Sequence, residues 1–268
     1  MDNIINYFKM VEDSAKVSQD IFHLINKVRK DPKSIVSQLK EMEAKFEGDL
    51  LKREGKPNLR TKEGAKAVQE AIKFVEGQSP LPDLVWEECL AQAAKDHCLD
   101  IGPLGQMTHD SSDGRGPKDR FKKYGKFFSS YGENLSFACD NAQEIVLQLI
   151  IDDGVLERGH RENIFNSAFR VMGCHFAPHK HYEYMACLDL AEGFVKEGEE
   201  DPIEKQMDEF LKQEVEFNDM PEDVVSWKQN AKVSVHGNHA KKTVTRVCKM
   251  KNGEEKSLEI TVEKDFTV

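Results

Sequence analysis

Gly159-His160-Arg161-Glu162-Asn163-Ile164-Phe165 is the stretch whose reading decides the fold, together with two segments upstream, Thr108-His109 and Tyr131-Gly132-Glu133-Asn134-Leu135. The three supply two histidines, His109 and His160, and a carboxylate, Glu133, with Asp152 and Asp153 close by in sequence. Imidazole and carboxylate are the groups from which metal sites and acid–base pairs are built. Such a set has three uses. It can hold a divalent metal on His109 and His160, with Glu133 and Asp152 orienting the ligands or activating water. It can move protons without a metal. It can also be a polar network that fixes the fold, each buried group satisfied by its neighbour. Two imidazoles alone make a weak, exchangeable zinc site, because tight sites have three or four protein ligands. Arg161 and Asn163 read as anchors that hydrogen-bond the loop to backbone carbonyls. Glu133 beside Asn134 reads as a cap for the following helix.

The order and spacing of these segments resemble the CAP superfamily, which comprises cysteine-rich secretory proteins, antigen five and plant pathogenesis-related-one proteins. The likeness is to its bacterial and protist branch, where Gly-His-Arg replaces a longer signature. Leu84-Val85-Trp86-Glu87-Glu88-Cys89-Leu90-Ala91-Gln92-Ala93-Ala94 is similar to the helix that precedes the first histidine in that family. His109 then matches the first family histidine, Glu133 the first acid and His160 the second histidine. The second acid belongs to a Trp-x-x-Glu pattern, which here reads Leu149-Ile150-Ile151-Asp152; the tryptophan is absent, and Asp152 or Asp153 stands for the acid. The resemblance covers roughly residues 18–195. It implies an α/β fold, a three-layer α/β/α sandwich, with a metal-binding cleft whose catalytic use is not general.

Periodicity fills in the elements. Ile21, Phe22, Leu24, Ile25 and Val28 form one stripe of a helix over 15–30, ended by Asp31-Pro32. A second helix is expected over 32–46, a loop over 52–60 and a third helix to about Val75. Trp86, Leu90, Ala93, Ala94, His97 and Ile101 recur at helical spacing, and His97 reads as a satisfied core histidine. Residues 102–119 read as loop. The apolar run Ile145-Val146-Leu147-Gln148-Leu149-Ile150-Ile151 predicts a central buried helix, and 169–176 and 182–190 two strands. Ile203, Met207, Phe210, Leu211 and Val215 make an amphipathic helix in an acidic stretch. Beyond it, Val244, Arg246, Cys248 and Met250 face Leu258, Ile260 and Val262 across Asn252-Gly253, a hairpin signal. The expected organisation is an N-terminal extension (1–17), a CAP-like domain (18–195), an acidic linker and helix (196–225) and a small β-hairpin extension (226–268).

Composition narrows the function. The net charge of −10, from 38 basic and 48 acidic side chains, disfavours nonspecific nucleic-acid binding, which needs a basic face. No signal peptide is evident in Met1 to Phe8, and no apolar run is long enough to span a bilayer. The six cysteines are scattered, which suits reduced thiols in the cytoplasm; Cys174 and Cys187, on neighbouring strands, are the pair to bridge if the chain is oxidised. His175, His179 and His181 look like a metal tract, but a strand and turn would send them to different faces. His236 and His239 lack the cysteines of a zinc finger. The expectation is an intracellular binding or scaffolding protein, in a cytoskeletal or ciliary assembly or in contact with lipid, with enzymatic activity left open. Its protein partner would dock on the acidic helix and hairpin, and zinc or another divalent metal would bind weakly. A metal-dependent hydrolase and a secreted CAP protein are the alternatives.

Overall fold

The computed structural model describes the backbone of residues 2–236 and 239–266, and the side chains of residues 13–235 and 239–266. Two compact units follow one another, Met1–Glu197 and Gly198–Val268.

The first unit begins with helix α1 (Asp2–Lys30), a 3-10 turn (Pro32–Ile35) and α2 (Val36–Glu43). A small meander of β1 (Phe46–Glu47), β2 (Leu50–Leu51) and β3 (Leu59–Arg60) leads to α3 (Ala65–Gly77), β4 (Val85–Trp86) and α4 (Glu88–Leu104). Then come α5 (Pro117–Lys122), β5 (Gly125–Phe127), β6 (Tyr131–Phe137), α6 (Ala142–Ile151), α7 (Gly159–Ile164), β7 (Val171–His179), β8 (Glu183–Ala191) and β9 (Phe194–Lys196). The main sheet has the order β4-β7-β8-β6. β4 lies parallel to β7, and the other pairings are antiparallel.

Strand alternation sorts the core into two faces. Met172, Cys174, Phe176, Ala186, Leu188 and Leu190 turn toward the helices that contribute Ile21, Ile25, Val68, Ile145 and Leu149. Leu135, Ala177, Met185 and Cys187 turn the other way, onto Ala94, Cys98 and Ile101 of α4. Helices therefore cover both faces of the sheet, and the chain is an α/β protein. α4 packs closest at Gly173, where a Cβ would lie 2.0 Å from the Ala91 nitrogen. Arg29 closes the first face: fully buried, it donates to the carbonyls of Pro82, Ile164, Asn166 and Phe169. Burial holds its guanidinium down at about 10, with Arg170 adding to the effect.

Several expectations are corrected. α1 runs unbroken across the boundary expected at residue 17. The second helix is shorter, because Phe46 and Glu47 already pair with Leu51 and Leu50. α4 continues past Gly102 and Pro103, and α5 interrupts the expected 102–119 loop. Tyr131–Phe137 is a strand, with Glu133 and Asn134 on opposite faces of it. Glu133 therefore caps nothing; the cap of α6 is Asn141, whose side chain accepts from the Glu144 amide at 2.9 Å. Cys174 and Cys187 occupy opposite faces of the sheet, so they are not placed to bridge.

In the second unit, α8 (Pro202–Lys212) precedes a three-stranded antiparallel sheet, β10 (Val224–His236), β11 (His239–Met250) and β12 (Glu255–Asp265), in that order. Asp201 caps α8 through the amides of Ile203 and Glu204. Buried Lys242 donates to the carbonyls of Leu211 and Gln213 at its other end, both at 2.7 Å. Phe210 meets Phe266 edge-on at 5.8 Å. The expected hairpin is β11 and β12, turning at Asn252-Gly253 with Gly253 at φ +88°. The third strand, β10, was hidden because Lys228, Gln229, Asn230 and Lys232 are all exposed and leave no period-two pattern.

Candidate functional site

β6 is the axis of the site. Glu133 leaves it toward α4 and α5, and is 8% exposed. Its Oε1 lies 2.7 Å from His109 Nδ1, and its Oε2 accepts from the buried Arg120 guanidinium on α5. Arg120 also donates to the His109 carbonyl at 3.0 Å, to Ser111 Oγ at 3.2 Å and to the Arg115 carbonyl at 3.3 Å. One guanidinium thus ties the 109–115 loop to the sheet. Burial by itself would raise the Glu133 carboxyl; the His109 hydrogen bond and then the Arg120 charge reverse this, and it sits below its ordinary value. His97 prepares the same loop from α4, its Nε2 lying 2.9 Å from the Thr108 carbonyl.

Asp152 serves His160 in the same way. It ends α6 in the left-handed conformation (φ 57°), which aims its carboxylate at α7. Oδ1 lies 2.6 Å from His160 Nδ1, and Oδ2 accepts from the amides of His160 at 2.9 Å and Arg161 at 3.3 Å. Asp153 turns away and accepts from the amides of Lys62 and Glu63 at 2.7 and 2.8 Å. Asp152 is therefore the acid that pairs with His160, and Asp153 pairs with the backbone of residues 62 and 63 instead. Arg161 anchors α7 to the carbonyls of Ile150 and Ile151 and to Glu70. Asn163 binds the Asn134 side chain at 2.8 Å instead of a backbone carbonyl, and Asn134 in turn binds the His160 carbonyl at 2.9 Å. Since Asn134 adjoins Glu133, the two histidine–carboxylate pairs flank the same strand.

A carboxylate on Nδ1 fixes the proton there and leaves Nε2 as the acceptor, which is how metal-binding imidazoles are oriented. Among the described residues neither Nε2 has a hydrogen-bond partner in the protein. The His109 side chain is 52% exposed and that of His160 23%, so both are open to a ligand while their carboxylates are 2% exposed.

Arg158, also left-handed (φ 52°), was not foreseen. It bonds Glu63, Glu70 and the carbonyls of Asp152 and Val155. The Arg158 hydrogen bonds hold the Glu63 and Glu70 carboxyls down at about 2. Behind Glu133 lie Cys187 and Asp189, both fully buried on β8. No sequence signal marked Asp189, and Cys187 was read only as a disulfide partner for Cys174, since both occupy ordinary alternating strand positions. Burial, with the Glu133 charge next, pushes the Asp189 carboxyl well above the usual range.

His179 has a structural role. His179 bonds the Gln106 carbonyl with Nε2 and accepts the amides of His181 and Tyr182 on Nδ1, which closes the β7–β8 turn. Burial pushes His175 down to about 4, so it is neutral. His239 pairs with Asp265 at 2.7 Å, and the His236 side chain lies outside the described residues. Burial lifts the Cys139 thiol to about 11, the reverse of activation.

The model of the cysteine-rich secretory protein family, CAP, matches residues 22–190. No curated protein matches the chain in sequence. Among solved structures, an outer surface protein from Borrelia burgdorferi is 17% identical with a TM-score of 0.36, over 47% of this chain and 86% of that one. An extracellular SCP-domain protein from Bacillus anthracis is 20% identical with a TM-score of 0.34, over 47% of this chain and 37% of that one.

Proposed function

Because the chain belongs to the cysteine-rich secretory protein (CAP) family, we propose that it is a non-catalytic binding protein. In this reading the cleft captures a divalent metal, zinc or one like it, on the Nε2 atoms of His109 and His160, and the second unit engages a protein partner. The observation that carries it is the commitment of both carboxylates. Glu133 gives one oxygen to His109 and the other to Arg120. Asp152 gives one oxygen to His160 and the other to two backbone amides. Each carboxylate is 2% exposed and held against its imidazole, the arrangement of a group that orients a ligand and not of one that faces water. What remains is a pair of oriented imidazoles, and two ligands give weak, exchangeable binding.

Calorimetric titration of the full chain with zinc tests the proposal. His109→Ala and His160→Ala are each expected to weaken binding at least ~10-fold, the scale on which losing ligand support acts. Turnover of ester or peptide substrates should stay at the zinc-only background, for the unsubstituted chain and Glu133→Gln alike. Metal-dependent hydrolysis that Glu133→Gln abolishes would replace this reading with the hydrolase.

The setting we propose is the cytoplasm, in a cytoskeletal or ciliary assembly or beside lipid. The scattered, buried positions of Cys98, Cys139, Cys174, Cys187 and Cys248 support a reducing compartment. Among the described residues no helix is long and apolar enough to cross a membrane. The partner surface is assigned to residues 198–268, which form their own compact unit. A chain truncated after Glu197 should keep the unfolding midpoint of the first unit and lose the partner; a large drop in midpoint with the partner retained would reverse that assignment.

A further inference from the structure

We propose that Glu133, Cys187 and Asp189 form a second, buried metal site, of the kind that takes zinc, separate from the two cleft imidazoles. The three residues offer a carboxylate oxygen, a sulfur and another carboxylate oxygen, all within 4.8 Å of one another. Glu133 and Asp189 are directly opposed across β6 and β8, and Cys187 lies two positions before Asp189 on the same face. Cys187 Sγ is 3.4 Å from Glu133 Oε2 and 3.7 Å from Asp189 Oδ1. Zinc bonds of about 2.0–2.2 Å to oxygen and about 2.3 Å to sulfur place tetrahedral O···S edges at about 3.5 Å. The side chains thus already stand near ligand spacing.

A second observation points the same way. Asp189 is fully buried, yet among the described residues its Oδ2 has no hydrogen-bond partner. A buried carboxyl with an orphan oxygen is costly unless it is paired or coordinates a metal. Charge balances too. As metal ligands, the Cys187 thiolate and the Glu133 and Asp189 carboxylates each carry one negative charge. Three anions then face a divalent ion and the Arg120 guanidinium, for a net charge of zero. Arg120 does not block the site, because a carboxylate oxygen has two lone pairs: Glu133 Oε2 can accept from Arg120 and still face the ion. The donor set of one thiolate and two carboxylates suits zinc, and a site closed to solvent fits a metal acquired during folding.

The experiment uses the full chain, expressed in medium supplemented with zinc or with cobalt and dialysed against a weak chelator. The expected result is about one tightly held metal per chain, and in the cobalt form a thiolate-to-cobalt charge-transfer band. Both should persist in His109→Ala/His160→Ala, which removes only the cleft ligands. Metal content should fall at least ten-fold, with loss of the band, in Cys187→Ser and in the near-isosteric Asp189→Asn. Should both variants fail to fold, the band in the unsubstituted chain decides by itself. Absence of tightly held metal, absence of the band, or metal lost with the histidines and kept in Cys187→Ser would overturn the proposal. The last of these would leave the cleft reading standing.

Discussion

Arg120→Met is expected to destabilise the first unit by about 3–5 kcal/mol, the cost of breaking a buried ion pair from one side. Arg120 and Glu133 side chains are each 2% exposed, so the stranded carboxylate would have no water to replace its partner. Asp189 opposite it adds a second carboxyl, and the 109–115 loop loses its tie to the sheet at the same time. Urea unfolding of the full chain at neutral pH measures the loss. Glu133→Gln in the same background should recover part of it, because a neutral amide replaces the stranded charge. Acid should act in a defined direction. The Glu133 carboxyl is lowered in the folded chain. Its contribution is therefore fully present above the unfolded value of about 4.3 and is lost as pH falls through the lower folded value. In Arg120→Met that acid-side loss should flatten. A destabilisation under about 1 kcal/mol would mean that the pair is not buried as the structure shows.

Gly173→Ala is the second large effect. The added methyl would sit 2.0 Å from the Ala91 nitrogen, 2.6 Å from the Leu90 carbonyl carbon and 2.7 Å from the Ala91 Cα. All three are backbone atoms, so no rotamer relieves the clash and α4 itself must shift. Overpacking of this kind costs up to about 3 kcal/mol. For a unit of this size that lowers the melting temperature by roughly 6–12 °C. The damage should also reach the cleft. α4 carries His97, which holds the Thr108 carbonyl and so sets the position of His109. Zinc binding should therefore weaken in Gly173→Ala, although the glycine touches no ligand. A melting temperature within about 2 °C of the unsubstituted chain would show that α4 has room to move.

The residues legible in the sequence were those whose spacing is local. His109, Glu133 and His160 stood inside short motifs, and the α6 run Ile145 to Ile151 announced a buried helix by composition alone. Asp152 and Asp153 could not be separated, because the choice depends on a left-handed residue at the end of α6, which no periodicity reports. Arg120 was invisible for a related reason. It matters only once α5 folds back against β6, and a short helix in a stretch rich in Gly, Ser and Asp leaves a faint pattern. Cys187 and Asp189 fit an alternating strand so well that the cost of burying a carboxyl there was hidden. The error over Tyr131–Phe137 came from reading Glu133 as a cap, when Leu135 and Phe137 were already marking a strand.

The loop from Asp152 to Arg158 starts and finishes in a conformation that ordinary side chains avoid, and four protein groups on Arg158 hold it there. A metal bound as proposed would therefore meet His160 on a surface that is already ordered. No segment has to settle upon contact, so the entropy of immobilising a loop drops out of the affinity. Association should then run at the rate of a rigid docking event, with variants of the cleft differing in how long the ligand stays and little in how fast it arrives.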